Sequence, residues 1–167
     1  TAALHARYTS VMKSKRVEFS KLSNFNKNKS SISLKQLKKI YDLCRWINHH
    51  QGFDMINTAC KEYNWKTDLA TVARIWSEGS IIKSKLMETL STSFWSSSSI
   101  MKMERFWNSM NKSQKDWTQV INYAGNSLIP IPCISTSWNY FLAMTQKFSN
   151  ANLIQAQRDF FGSHGFI

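Results

Sequence analysis

Few reactive side chains in this sequence stand where they could act together. His49 and His50 are adjacent, so on a helix their side chains diverge by about a hundred degrees and cannot chelate one metal as an i, i+4 pair would. Asp54 follows His50 by one helical turn and could complete only a weak site. Polar residues on a helix surface are the simpler reading of all three, and His5 has no evident partner. Glu62, Glu78, Glu88 and Glu104 never form a close acidic pair, so no two-carboxylate acid–base machinery is visible. Cys44, Cys60 and Cys133 make an odd count without a C-x-x-C pair, which speaks against a disulfide framework or a cysteine zinc site and fits a reducing compartment. No G-x-G-x-x-G turn is present, so no dinucleotide site is expected.

The charge is the unusual bulk property. A formal net charge of +12 draws the chain toward polyanions: RNA, anionic headgroups or an acidic protein. Lys13 to Arg16, with Lys21, Lys27 and Lys29, form the densest basic run, for which a solvated face is the simplest reading. Trp46, Trp65, Trp76, Trp95, Trp107, Trp117 and Trp138 could stack bases if exposed beside the cations, but at helical spacing among aliphatic neighbours they are expected in the core.

The elements that must carry these residues read as helices throughout. Only two Pro and five Gly interrupt a chain that is 43% hydrophobic, too few for a turn-rich sandwich or barrel. Apolar positions at helical spacing predict a helix over 3–22, then a polar loop over 23–32. Ser33 and Gln36 form a capping-box pattern opening a long helix to about Tyr63, with Leu34, Leu37, Tyr41, Cys44, Ile47, Ile56 and Cys60 on one side. Thr67 or Asp68 caps a helix that Gly79 interrupts and that resumes through Leu86 and Leu90, before a serine-rich connector over 91–99. Further helices are expected at 100–110, 113–125, 132–148 and 152–161, with 128–132 extended because a residue preceding proline is pushed out of the helical region. The expectation is an all-α multi-helix bundle, one domain over 1–167, with no apolar run of membrane-spanning length and no visible signal peptide.

Leu153-Ile-Gln-Ala-Gln-Arg-Asp-Phe-Phe-Gly-Ser-His164 is the most specific text in the chain. It resembles the LIQAQRDYFGAH signature of 6-phosphogluconate dehydrogenases, departing at Phe160 and Ser163. Ile129-Pro-Ile-Pro-Cys133 is similar to that family's IPxPC turn, and Ile75 to Lys83 (IWSEGSIIK) to its WRxGCIIR stretch. Gln51-Gly52-Phe53 matches the QGF of its long central helix, and Ala6-Arg7 with Lys13 to Arg16 fits its FARCLSSLKDER helix. These blocks are collinear from end to end, so the resemblance covers essentially the whole chain.

The resemblance implies the C-terminal helical domain of an enzyme that oxidatively decarboxylates 6-phosphogluconate to ribulose 5-phosphate with NADP. It further implies a homodimer in which each subunit's C-terminal tail reaches into the partner's active site. Carried over by position, Arg158 and His164 match the tail's substrate-binding pair, and Lys83 takes the place of a phosphate-binding Arg. Lysine keeps the charge of that Arg but not its bidentate fork. Ser77 and Ser80 replace the Arg and Cys of the same motif, which points to a relaxed phosphate site. The family's catalytic lysine and glutamate lie upstream of Thr1, so no catalytic residue and no cofactor are expected within this chain, NADP entering only if an N-terminal domain or a partner supplies its site.

Two functions follow. The leading expectation is a catalytically incomplete, structural subunit of a larger assembly, mitochondrial in view of the basic charge. The alternative is the C-terminal part, or partner chain, of a decarboxylating 6-phosphogluconate dehydrogenase, cytoplasmic, with Arg158 and His164 completing a neighbouring subunit's site. Either way a partner chain is expected to cover apolar surface.

Overall fold

A computed structural model describes residues 2–149, 151–163 and 165. The described residues form nine α-helices and a 3₁₀ turn, without a strand: α1 (Ala2–Val11), α2 (Lys13–Ser20), α3 (Leu34–Glu62), α4 (Leu69–Gly79), α5 (Lys85–Ser93), the 3₁₀ turn (Ile100–Lys102), α6 (Glu104–Asn111), α7 (Gln114–Asn126), α8 (Pro132–Thr145) and α9 (Ala151–Gly162).

The bundle is organised around α3. Its start is set by the expected capping box: the Ser33 side chain accepts the backbone N–H of Gln36, and the Gln36 side chain reaches back to the backbone of Ser33. Gln36 also binds Asp116 and Gln119 of α7, so the same residue that caps α3 fastens it to a neighbour. Lys39 reinforces that junction with an ion pair to Asp116 at 2.7 Å. The buried stripe of α3 is Ile40, Leu43, Cys44, Ile47, His50 and Phe53. It is rotated from the expected one: Leu34 and Tyr41 are exposed, because α4, α6, α7 and α8 all pack on the face centred on Ile40 and Ile47.

Aromatic rings fill the space between these helices. Phe106 is fully buried among Trp46, Trp107 and Phe141, and Trp117 stacks on Trp138 at 5.0 Å. Five of the seven tryptophans thus lie in or against the core, whereas Trp65 and Trp95 are exposed.

Other departures from the periodicity have local causes. The first predicted helix is broken at Met12, whose ψ of 47° leaves the helical region. The hydroxyls of Thr9 and Ser10 bond back to the Ala6 and Arg7 carbonyls, a contact that bends helices, and Arg16 donates to the freed carbonyl of Ser10 at 2.9 Å in place of a ladder bond. Leu128 is left-handed, not extended, at φ 55°. It occupies the first position past the end of α7, where Leu128 and Ile129 donate to Gly125 and Ala124 in a Schellman closure that glycine usually makes. Asn64 plays the same part after α3, with Trp65 donating to Cys60.

α9 is of another kind. It buries no residue, and Leu153, Ile154, Phe160 and Phe161 are all exposed. Phe106→Ala should therefore lower the unfolding free energy by about 3–5 kcal/mol, while Phe160→Ala should change it by less than about 0.5 kcal/mol. Urea denaturation of the two variants measures both.

Candidate functional site

Ser80 builds the turn that presents Lys83. Its hydroxyl donates to the Trp76 carbonyl at 2.7 Å and accepts the Ile82 N–H at 3.2 Å, while the Lys83 N–H donates to the Ser80 carbonyl at 3.1 Å. Lys83 emerges exposed one residue before Ser84, which caps α5 by accepting the Met87 N–H at 3.3 Å. A cation beside the unsatisfied N–H groups and positive dipole end of a helix attracts a phosphate. Ser77 stands apart from this arrangement: it is buried against the bundle and its hydroxyl donates to the Arg74 carbonyl at 2.7 Å.

Arg158 is exposed on α9, beside a shallow cavity lined, among the described residues, by Gln157, Arg158, Phe161 and Gly162. The neighbouring Asp159 is occupied by the Gly165 N–H at 2.6 Å and makes no ion pair with Arg158 among the described residues. Lys83 and Arg158 do not share this cavity. His164 lies outside the described residues.

His49 and His50 are not the surface residues that the sequence favoured. His50 is buried, with its Nδ1 3.5 Å from the Ser99 hydroxyl and its ring 6.0 Å from that of Tyr140. His49 is half-buried, and its Nδ1 bonds the Arg45 carbonyl at 2.7 Å. Neither Nε2 has a partner among the described residues. Burial pushes both imidazoles below their ordinary value near 6.5, Asp54 opposing this for His50. Burial likewise pushes the Cys44 thiol up to about 11, so it is a packing group and not a nucleophile.

The basic run behaves as expected, with Lys13 to Arg16, Lys21, Lys27 and Lys29 all exposed. Sequence reasoning missed a cavity of about 620 Å³ between α3 and α6. Its residues come from helices far apart in the chain, and no motif marks them.

The two imidazoles carry a pH dependence. Their folded values lie below the unfolded one, so below about pH 6.5 the unfolded chain binds protons that the folded chain refuses. Their contribution is complete above that pH and is lost as the pH falls. Thermal melts between pH 8 and 5 should show a falling midpoint, with a shallower slope in His50→Phe.

A family model described as "6-phosphogluconate dehydrogenase, C-terminal domain" matches residues 1–167. The decarboxylating 6-phosphogluconate dehydrogenase of Schizosaccharomyces pombe is 35% identical over 175 residues, covering 99% of this chain and 35% of the relative. The corresponding enzyme of Lactococcus lactis is 30% identical, covering 99% and 37%. The solved structure of Plasmodium falciparum 6-phosphogluconate dehydrogenase, described in apo form and in complex with its cofactor NADP+ and its substrate 6-phosphogluconate, superposes with a TM-score of 0.85 at 30% identity over 99% of this chain and 37% of that one. The chain thus spans little more than a third of the length of the relatives it matches. Its helices, in this order and matched end to end, belong to the 6-phosphogluconate dehydrogenase family as the C-terminal domain.

Proposed function

We propose that this chain is the C-terminal part of a decarboxylating 6-phosphogluconate dehydrogenase, serving as the helical scaffold and as the source of cations for the substrate's phosphate. The end-to-end match to the C-terminal third of such enzymes carries this reading over that of a structural subunit. Exposed α9 supports it too. A helix that buries nothing on its own chain, lined with Leu153, Ile154 and Phe161 and carrying Arg158, is suited to seating on a second subunit. Placed there, Arg158 brings a planar fork to a phosphate, with His164 as an additional donor, while Lys83 contributes a point charge at the α5 terminus.

The chemistry divides accordingly. NADP, which the Plasmodium relative binds, supplies the hydride acceptor. In this reading the strand–turn–helix cradle for its pyrophosphate lies in another domain of the enzyme. The residues of this chain bind and orient the substrate, and the groups that move protons likewise come from elsewhere.

The test is NADPH formation from 6-phosphogluconate by the protein encoded by the full reading frame. Activity is expected. Lys83→Ala and Arg158→Ala should each raise KM about tenfold or more, in keeping with loss of a hydrogen bond to a charged group. Lys83→Arg should lower KM by restoring the fork. A full-frame protein that folds and forms no NADPH would favour the structural subunit.

A further inference from the structure

The cavity between α3 and α6 adjoins a second one of about 390 Å³ between α3 and α5, Asp42, Trp46 and Arg105 lining both. Both volumes fall within or near the roughly 300–1,000 Å³ of small-molecule sites. The joined cleft is not the one proposed for the substrate phosphate, since neither Lys83 nor Arg158 lines it.

Its charges are unevenly spent. Asp42, at the centre, is held by Lys38 at 2.6 Å and by Arg45 at 3.8 Å, so its repulsion of an anion is offset. Lys39 is committed to Asp116 and to the Lys112 carbonyl. Glu104 accepts from the Asn108 amide at 3.3 Å but enters no ion pair among the described residues, so its charge disfavours phosphate in the larger compartment. Lys85, Arg105 and Lys112 enter no ion pair among the described residues, and each lines one or both compartments. Trp46, half-buried, lines both compartments and makes a tilted ring contact with fully buried Phe106 at 6.3 Å. Buried Leu43 and Leu86 extend this apolar floor into the two compartments. The larger compartment also offers the oxygens of Asn108 and Ser109 as acceptors, their donors being directed to Glu104 and to the Arg105 carbonyl.

We propose that this cleft binds a phosphorylated ligand with a flat ring, a nucleotide being the simplest member of that class. The ring lies on Trp46 toward Asn108 and Ser109, and the phosphates lie in the smaller compartment on Arg105 and Lys85. An aromatic floor supplies stacking that is indifferent to salt, and the unspent cations supply charge-assisted hydrogen bonds. A bare polyanion would use only the second of these.

The test titrates the full chain with ATP, tripolyphosphate and adenosine in separate arms, followed by calorimetry. ATP should bind at least about tenfold more tightly than tripolyphosphate and adenosine, because only it meets both compartments. Arg105→Gln and Lys85→Gln, both at exposed positions, should each weaken ATP about tenfold, and Trp46→Leu should reduce ATP to the level of tripolyphosphate. Lys66→Gln, outside the cleft, should leave binding unchanged, and circular dichroism verifies the fold of each variant. Equal binding of ATP and tripolyphosphate would show general attraction to a basic surface and overturn the proposal, as would insensitivity to Arg105→Gln or the absence of ATP binding at millimolar concentration.

Discussion

Everything in this bundle depends on the burial of one face of one helix. Ile40, Leu43, Ile47 and Phe53 are almost completely removed from water, and no single neighbour could cover them. α4, α6, α7 and α8 each take a share, and α5 reaches the core mainly by packing on α4, so the position of α3 constrains its four direct neighbours and, through α4, the fifth. Its N-terminus adds a polar constraint to the apolar one. Gln36 and Lys39 reach α7 through Asp116, whose carboxyl is held below the usual range chiefly by the bond from Lys39. The packing face and the polar junction lie on successive turns of the same helix, and together they leave little freedom of rotation.

Much of this order was legible in the sequence where a local rule sufficed. The capping box at Ser33, the end of α3 at Tyr63, the cap at Asp68 and Pro132 in the first turn of α8 all follow from residues a few positions apart. What depends on distant neighbours was not. The rotation of the α3 stripe away from Leu34 and Tyr41 is decided by helices that arrive later in the chain, and the burial of His50 by Ser99 and Tyr140. Leu128 misled for a related reason: the prolines after it argue for extension, but the closing bonds of α7 demand a left-handed residue and take leucine, at a cost of about 1–2 kcal/mol.

The candidate site shows the same division. Lys83 and Arg158 could be named because each sits inside a continuous stretch of recognisable text. The cleft at Trp46 has no such text, since Arg45, Lys85 and Arg105 lie on three different helices and become neighbours only by folding. The net charge of +12 was visible from composition, but which cations are spent in ion pairs and which remain available is a property of the fold.

The packing of α1 against α8 has a consequence in time. Those two helices are more than a hundred residues apart in sequence, and among the described elements α8 is the main surface on which α1 rests. During synthesis α1 leaves the ribosome more than a hundred residues ahead of α8 and must wait for the helix it rests on. α3 waits too, since the same late helix completes its cover. The nascent chain therefore passes through an interval in which the apolar face of α3 has only part of its cover, and it is in that interval that chaperones have something to hold.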